Sequence, residues 1–334
     1  MFAGLGVLGA VPAAAQPARP EAMCSLSGEL DELSGLAADG ENWYAINDGG
    51  TSLRIFVLGP DCAVRRTIEN PTDPYDVEDL ALAADGTLWL GDTGDNRKRR
   101  ETVALHAVAP DGTAELYRLR YPDGAHDAEA LLLDRSGTPY LVTKNVLGAS
   151  DVYRPAEPLA SPGPTPLEKV GSLQFMPTDT PGGPVGRAGS VLVTGGASTA
   201  DGSVFALRTY TDAYLYPAPD GDLVAALRRL PGRVPLPDEV QGEAIAFAPD
   251  GSLISASEGV GTPVRVVRDA AALVSPIPSG GAATTAAPEA AAEPGDASGS
   301  GNADSQGVPT LPGIAIAVTV AAVIVFGISR LRRR

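Results

Sequence analysis

Acidic residues recur in this chain at one kind of place. Glu32, Glu78, Glu129 and Glu243 each open a short apolar stretch that runs to an Asp-Gly or Ser-Gly pair, and a polar residue follows at a similar distance beyond it: Asp48, Asp92, Lys144 or Glu258. Residues equidistant from a hairpin turn face one another across two strands, so the counting pairs Glu32 with Asp48, Glu78 with Asp92, Glu129 with Lys144 and Glu243 with Glu258. Carboxylates brought that close repel one another unless a proton or a cation compensates. Oxygen-only donors in an oxidising, exported setting suit Ca²⁺, and Asp95, beside Asp92, adds another donor. The expected metal set is therefore Glu32, Asp48, Glu78, Asp92, Asp95, Glu129, Glu243 and Glu258. A competing reading has the same acids capping strand ends and accepting backbone hydrogen bonds.

A fourth, weaker unit has Thr194 or Gly195 where the acid should be, and Arg208 opposite. Lys144 and Arg208 then relieve a ring of negative charge and, with His126, are the expected ligand contacts. Hydrolytic machinery of other kinds is sparse. The chain has two histidines, His106 and His126; a Ser-His-Asp arrangement could use only His126, and no Gly-x-Ser-x-Gly turn is present. A hydrolase built here would rest on carboxylates or Ca²⁺. The basic run 97–100 could hold a phosphate or an acidic partner.

The elements that must position these residues follow from the repeat. Each copy reads as two apolar strands joined at a Gly-containing tight turn, which needs a positive φ, followed by outer strands such as Leu53–Leu58 and Ala114–Arg120. Five copies over about 250 residues predict an all-β chain, a β-propeller of five blades; six remain open if Pro155 to Pro184 hides a further sheet. The stretch Met23 to Glu29 has no hairpin of its own and is placed as the outer strand of the last blade, closing the ring. That brings Cys24, in the closing strand, beside Cys62, in the outer turn of the first blade. A Cys24–Cys62 disulfide is expected.

The ends read as addresses. Residues 1–15 suit a signal peptide, 21–273 the β domain and 275–310 a Pro/Ala/Gly/Ser tether too poor in large apolar residues to fold. The uncharged stretch 311–329 has the length of a transmembrane helix, closed by the basic cytoplasmic tail 330–334. The expectation is a single-pass plasma-membrane protein with an extracellular amino-terminal domain. A net charge of −16 argues against nucleic acid as partner and leaves an extracellular protein or small molecule.

The repeated pattern of acid, apolar strand, Asp-Gly and apolar strand resembles the extracellular propellers related to NHL-repeat, SMP-30/gluconolactonase-like and phytase-like proteins. The segment 206–214 resembles secreted actinobacterial propellers. In the hydrolytic relatives a central acidic mouth binds Ca²⁺ and substrate, which the resemblance would assign here to Glu32, Glu78, Glu129 and Glu243. No catalytic signature carries over residue by residue. The functional expectation is a membrane-anchored binding or scaffold module acting through a charged channel mouth. The alternatives are a Ca²⁺-dependent hydrolase of phosphate or carboxylate esters, and a purely structural surface protein.

Overall fold

The computed structural model describes residues 19–145 and 149–274. The expected signal peptide, tether, transmembrane helix and basic tail lie outside the described residues; among these, no helix is long and apolar enough to cross a membrane.

The described chain is built almost wholly of antiparallel strands. A short strand β1 (Glu21–Ser25) precedes four consecutive four-stranded meanders and a three-stranded one. The first is β2 (Leu33–Ala38), β3 (Trp43–Asn47), β4 (Leu53–Leu58) and β5 (Val64–Asn70); the second is β6 (Val77–Leu82), β7 (Leu88–Asp92), β8 (Val103–Val108) and β9 (Ala114–Arg120). The third is β10 (Ala128–Leu133), β11 (Pro139–Thr143), β12 (Ser150–Pro155) and β13 (Thr165–Leu173); the fourth is β14 (Val193–Ser198), β15 (Val204–Thr209), β16 (Asp212–Pro217) and β17 (Gly232–Pro235). The last is β18 (Gly242–Phe247), β19 (Leu253–Ser257) and β20 (Pro263–Val267), and β1 completes it by pairing antiparallel with β20. The segment 155–184 ends β12 at Pro155 and supplies one further strand, β13, the outer strand of the third group, whose parallel contact with β9 runs for two residue pairs.

The hairpin turns form for the reason the sequence suggested. Gly86 and Gly251 take φ of +88° and +80°, values that an L side chain resists, and Asp85 braces its turn by accepting the Thr87 N–H at 2.9 Å.

The first strand of each group contacts the first strand of the next, β2 to β6 to β10 to β14 to β18 and back to β2. These strands surround a common axis in a propeller arrangement. Their close approach requires small residues: a Cβ on Gly35 would lie 2.6 Å from the Leu80 nitrogen. Apolar side chains fill the seams between neighbouring groups. Phe56, Leu36 and Ile254 join the first and last, Ile55 and Leu80 the first and second, and Leu131 and Leu105 the second and third. Burying each such side chain stabilises by roughly 1.5–3 kcal/mol.

Two faces result. The turns joining first to second strands lie on one, the hairpin face. The connections from one group to the next lie on the other. Both described ends sit at the hairpin face: Glu21 pairs with Val266 near the far end of β20, and the Ala271 N–H donates to the Gly251 carbonyl at 2.9 Å. Cys24 of β1 and Cys62, in the turn between β4 and β5, form the expected disulfide, joining the last group to the first with Cα atoms 5.9 Å apart.

Candidate functional site

Every first strand carries a register shift at the same position, between Leu33 and Gly35, Val77 and Asp79, Ala128 and Ala130, Val193 and Gly195, and Gly242 and Ala244. The extra residues are Ser34, Glu78, Glu129, Thr194 and Glu243. A bulge leaves its residue unpaired and re-aims the side chain, which is how an acid comes to sit at the end of a buried strand.

The bulges alter the expected pairing. Counting outward from the turn set Glu78 opposite Asp92 and Glu129 opposite Lys144. Instead Asp92 pairs with Val77, and the Lys144 N–H donates to the Asp127 carbonyl at 2.8 Å. Ser257 pairs with Gly242, and the Glu258 N–H donates to the Gln241 carbonyl at 2.9 Å. The Asp48 N–H does reach the Glu32 carbonyl, at 3.0 Å. Glu32, however, lies two residues before its bulge, so its counterparts are Asp76 and Asp127, and Glu78 corresponds to Ser34.

The result is a compact group of carboxylates at the end of the axis away from the hairpins. Glu78, Asp127 and Glu129 are all buried and each places a carboxylate oxygen within 4.8 Å of the others. Asp127 was not among the residues singled out from the sequence. The signal was present as an acid or amide two residues ahead of each bulge glutamate: Asp76, Asp127 and Gln241. Lys144 Nζ lies 2.9 Å from Glu129 Oε2 and 5.1 Å from the Tyr210 ring centroid. On the far side of Lys144, Gln241 Nε2 donates to Glu258 Oε1 at 2.5 Å and Glu243 Oε1 at 3.3 Å.

Burial dominates the electrostatics. It pushes the Glu78 carboxyl well above its usual range, helped by the charges of Glu129, Asp76, Asp127 and Asp48. Glu129 is pushed up to about 8 by burial, with Asp127 and Glu243 adding to the shift and Lys144 opposing it. Asp127 is raised by burial against the pull of Lys144 and the hydrogen bond from the Asp95 N–H. Burial and Glu258 raise Glu243. Lys144 is held charged, because the attraction of Glu129 and the other acids outweighs its burial. More negative charge is gathered here than one ammonium neutralises, so the site favours protons or a bound cation.

Other expected residues have their side chains committed elsewhere. Asp92 is committed to an internal cluster: Arg100 at 2.9 Å, His106 at 3.2 Å and the N–H groups of Tyr75 and Asp76. Burial would raise its pKa, but the His106 hydrogen bond and Arg100 bring it down to about 2. Asp95 accepts the N–H groups of Arg99 and Arg100 at 2.6 and 2.7 Å. Glu32 borders a separate recess of about 220 Å³ between the first two groups. Arg208, expected to touch ligand, is fully buried; it pairs with Glu239 at 2.6 Å and donates to the carbonyls of Ala244 and Ala256, so it staples β15 to the last sheet. His126 contacts Asp123 at 2.9 Å and the Tyr153 hydroxyl at 3.1 Å, beside the triad rather than in it. Lys98 and Arg99 are exposed.

No protein-family model matches the chain, and no curated protein matches it. Solved structures do. A gluconolactonase from Xanthomonas campestris is 15% identical with a TM-score of 0.46, over 79% of this chain and 99% of that one. A chain of a nidogen/laminin complex is 15% identical with a TM-score of 0.40, over 68% of this chain and 73% of that one. The PQQ-bound aldose sugar dehydrogenase of Streptomyces coelicolor is 10% identical with a TM-score of 0.40, over 76% and 99%. Gluconolactonases are among these matches. Similarities of this size carry nothing about the chemistry of this chain.

Proposed function

We propose that the chain is a five-bladed propeller, exported and held at the plasma membrane by its carboxyl-terminal segment, that works as a binding module through its acidic channel mouth. The five four-stranded groups would be its blades. The reading rests on one observation, the convergence of Glu78, Asp127 and Glu129, three buried carboxylates within 4.8 Å with a single ammonium against them. The donor set fits a hard divalent cation: oxygen ligands only, close together, and destabilised when charged and uncompensated. Ca²⁺ is the cation such a set would take outside the cell. Glu78, Asp127 and Glu129 would hold it, and it would supply a positive centre for an anionic or carbonyl oxygen of a ligand.

A second reading, a Ca²⁺-dependent esterase, is favoured by Glu129. A carboxyl pushed up to about 8 is matched to taking and returning a proton near neutral pH, and Lys144, held at 2.9 Å, would steady its charge in the ionised state.

Calorimetric titration of Ca²⁺ into metal-stripped protein tests the first reading. Binding that Glu78→Gln removes supports it, and the absence of binding at millimolar Ca²⁺ overturns it. Ester turnover that stops on chelation would decide for the second.

A further inference from the structure

The connection from β7 to β8 starts against the acidic group and carries the basic run 97–100. The Asp95 N–H donates to Asp127 Oδ1 at 2.7 Å, and a Cβ on Gly94 would lie 2.7 Å from Asp76 Oδ2. Two buried acids, Asp92 and Asp95, hold the turn that follows. Asp95 receives the Lys98 N–H on its carbonyl at 2.7 Å and the Arg99 and Arg100 N–H groups on Oδ2. Asp92 takes Arg100 Nη2 at 2.9 Å, and Arg100 Nη1 donates to the Gly94 carbonyl at 2.9 Å. Lys98 has a φ of +51°, a conformation in which Gly or Asn costs less than Lys.

Arg100 is thereby spent inside the turn, whereas its neighbours are not. Lys98 and Arg99 are exposed, and among the described residues neither side chain makes a hydrogen bond or a salt bridge. The Lys98 charge acts on Asp127 from beyond contact distance. Tyr75, in the connection from β5 to β6 on the same face, is 63% exposed, and the Arg100 guanidinium lies 4.5 Å from its ring centroid. The ring therefore rests on a cation that Asp92 holds in place and keeps aromatic surface open to solvent. The nearby carboxyls of Glu78 and Glu129 are buried, and burial favours their neutral forms, so they repel an arriving anion less than their number suggests.

We infer that Tyr75, Lys98 and Arg99 form a recognition patch at the rim of the mouth for a small ligand that carries a phosphoryl group on a flat ring. An ammonium and a guanidinium match the two negative charges and the oxygen fork of a phosphoryl dianion, and the ring of the ligand suits stacking on Tyr75. Because the turn is already fixed, the backbone carrying the two cations has no ordering cost to meet on binding. The patch is separate from the proposed cation, and chelator in the assay keeps the two apart.

The test uses the full chain in chelator and 4-fluorophenylphosphonate, followed by its ¹⁹F resonance with every variant at equal protein and detergent. Saturable broadening is expected, weakening as salt is raised because exposed charges are screened. Lys98→Asn combined with Arg99→Gln lowers affinity at least about tenfold, and Tyr75→Leu lowers it about threefold. 4-Fluorobenzoate, with a single charge, binds more weakly, and the uncharged dimethyl ester of the phosphonate does not saturate. Asn is at ease in the left-handed region, so the double variant keeps the native melting temperature. No saturable signal from the native chain, or unchanged affinity in the double variant, would overturn the patch. Unchanged affinity in Tyr75→Leu would overturn the stacking, and equal binding of the benzoate or the ester would overturn the phosphoryl assignment. Binding that appears only when Ca²⁺ replaces the chelator would assign the anion to the cation and overturn the patch.

Discussion

Asp79 and Gly196 lie 117 positions apart in the chain, yet Asp79 Oδ2 accepts the Gly196 N–H at 2.9 Å. The same oxygen accepts the Leu131 N–H at 2.8 Å, and Oδ1 accepts that of Leu80. One buried side chain thus ties β6, β10 and β14 together near the axis. Asp79→Ala would strand two inter-strand donors, each costing about 1–3 kcal/mol when buried without a partner. Denaturant unfolding is expected to show a loss of roughly 2–6 kcal/mol with little change in slope; a loss under about 1 kcal/mol would mean the strands need no such tie.

Asp92 makes the fold acid-sensitive in a defined window. Its pKa falls from 3.8 unfolded to about 2 folded, so its contribution is complete above about pH 4 and disappears as pH drops through 2. Linkage puts that contribution at roughly 2 kcal/mol. Asp92→Asn should therefore be less stable than the native chain at pH 6, and the gap should close by pH 2. A pH-independent gap would show that packing, not charge, explains the variant.

Glu129 acts with the opposite sign. Its pKa rises from 4.5 to about 8 on folding, so the folded state prefers it protonated; its stabilising contribution is present below pH 4.5 and is lost as pH climbs to 8. In chelator, the melting temperature should fall between pH 5 and pH 8, and Glu129→Gln should flatten much of that slope. Thermal melts across this range decide it.

Cation binding should distinguish the bulge acids from their lookalike. Ca²⁺ at a hundred times its dissociation constant would stabilise the native chain by about 2.7 kcal/mol. Glu78→Gln should abolish the effect, whereas Glu32→Gln, at a site bordering a separate recess, should retain most of it. Equal losses in the two variants would place the cation elsewhere.

The disulfide should matter for closure. Cys24→Ser with Cys62→Ser removes the covalent link between the last group and the first, and a loss of about 2–4 kcal/mol is expected. Hydrogen exchange should then be fastest in β1, which has only β20 as a strand neighbour.

Much of this architecture was legible in the sequence because turn chemistry and strand length are local. Asp85 with Gly86 and Asp250 with Gly251 fix hairpins within a dozen residues, and the repeat then dictates that the first strands meet. The closing strand followed from a remainder, a strand-like piece without a hairpin, and the two cysteines followed from it. What escaped was the bulge. Nothing local marks Glu78 as unpaired, since Ser34 and Thr194 occupy the same place with different chemistry. One extra residue per strand was enough to exchange Asp127 for Asp92 at the mouth. Arg208 misled for a related reason: its position was right, but Glu239, which neutralises it, comes from the connection ahead of the next hairpin, where no repeat pointed.

β1 begins at the hairpin face and the turn after β20 ends there, so the first and last described residues lie on the side away from the carboxylate group. A surface array built by grafting at Glu21 or Val274 would display the acidic mouth outward. Cation binding at the mouth can therefore be followed with the protein immobilised through either of these residues.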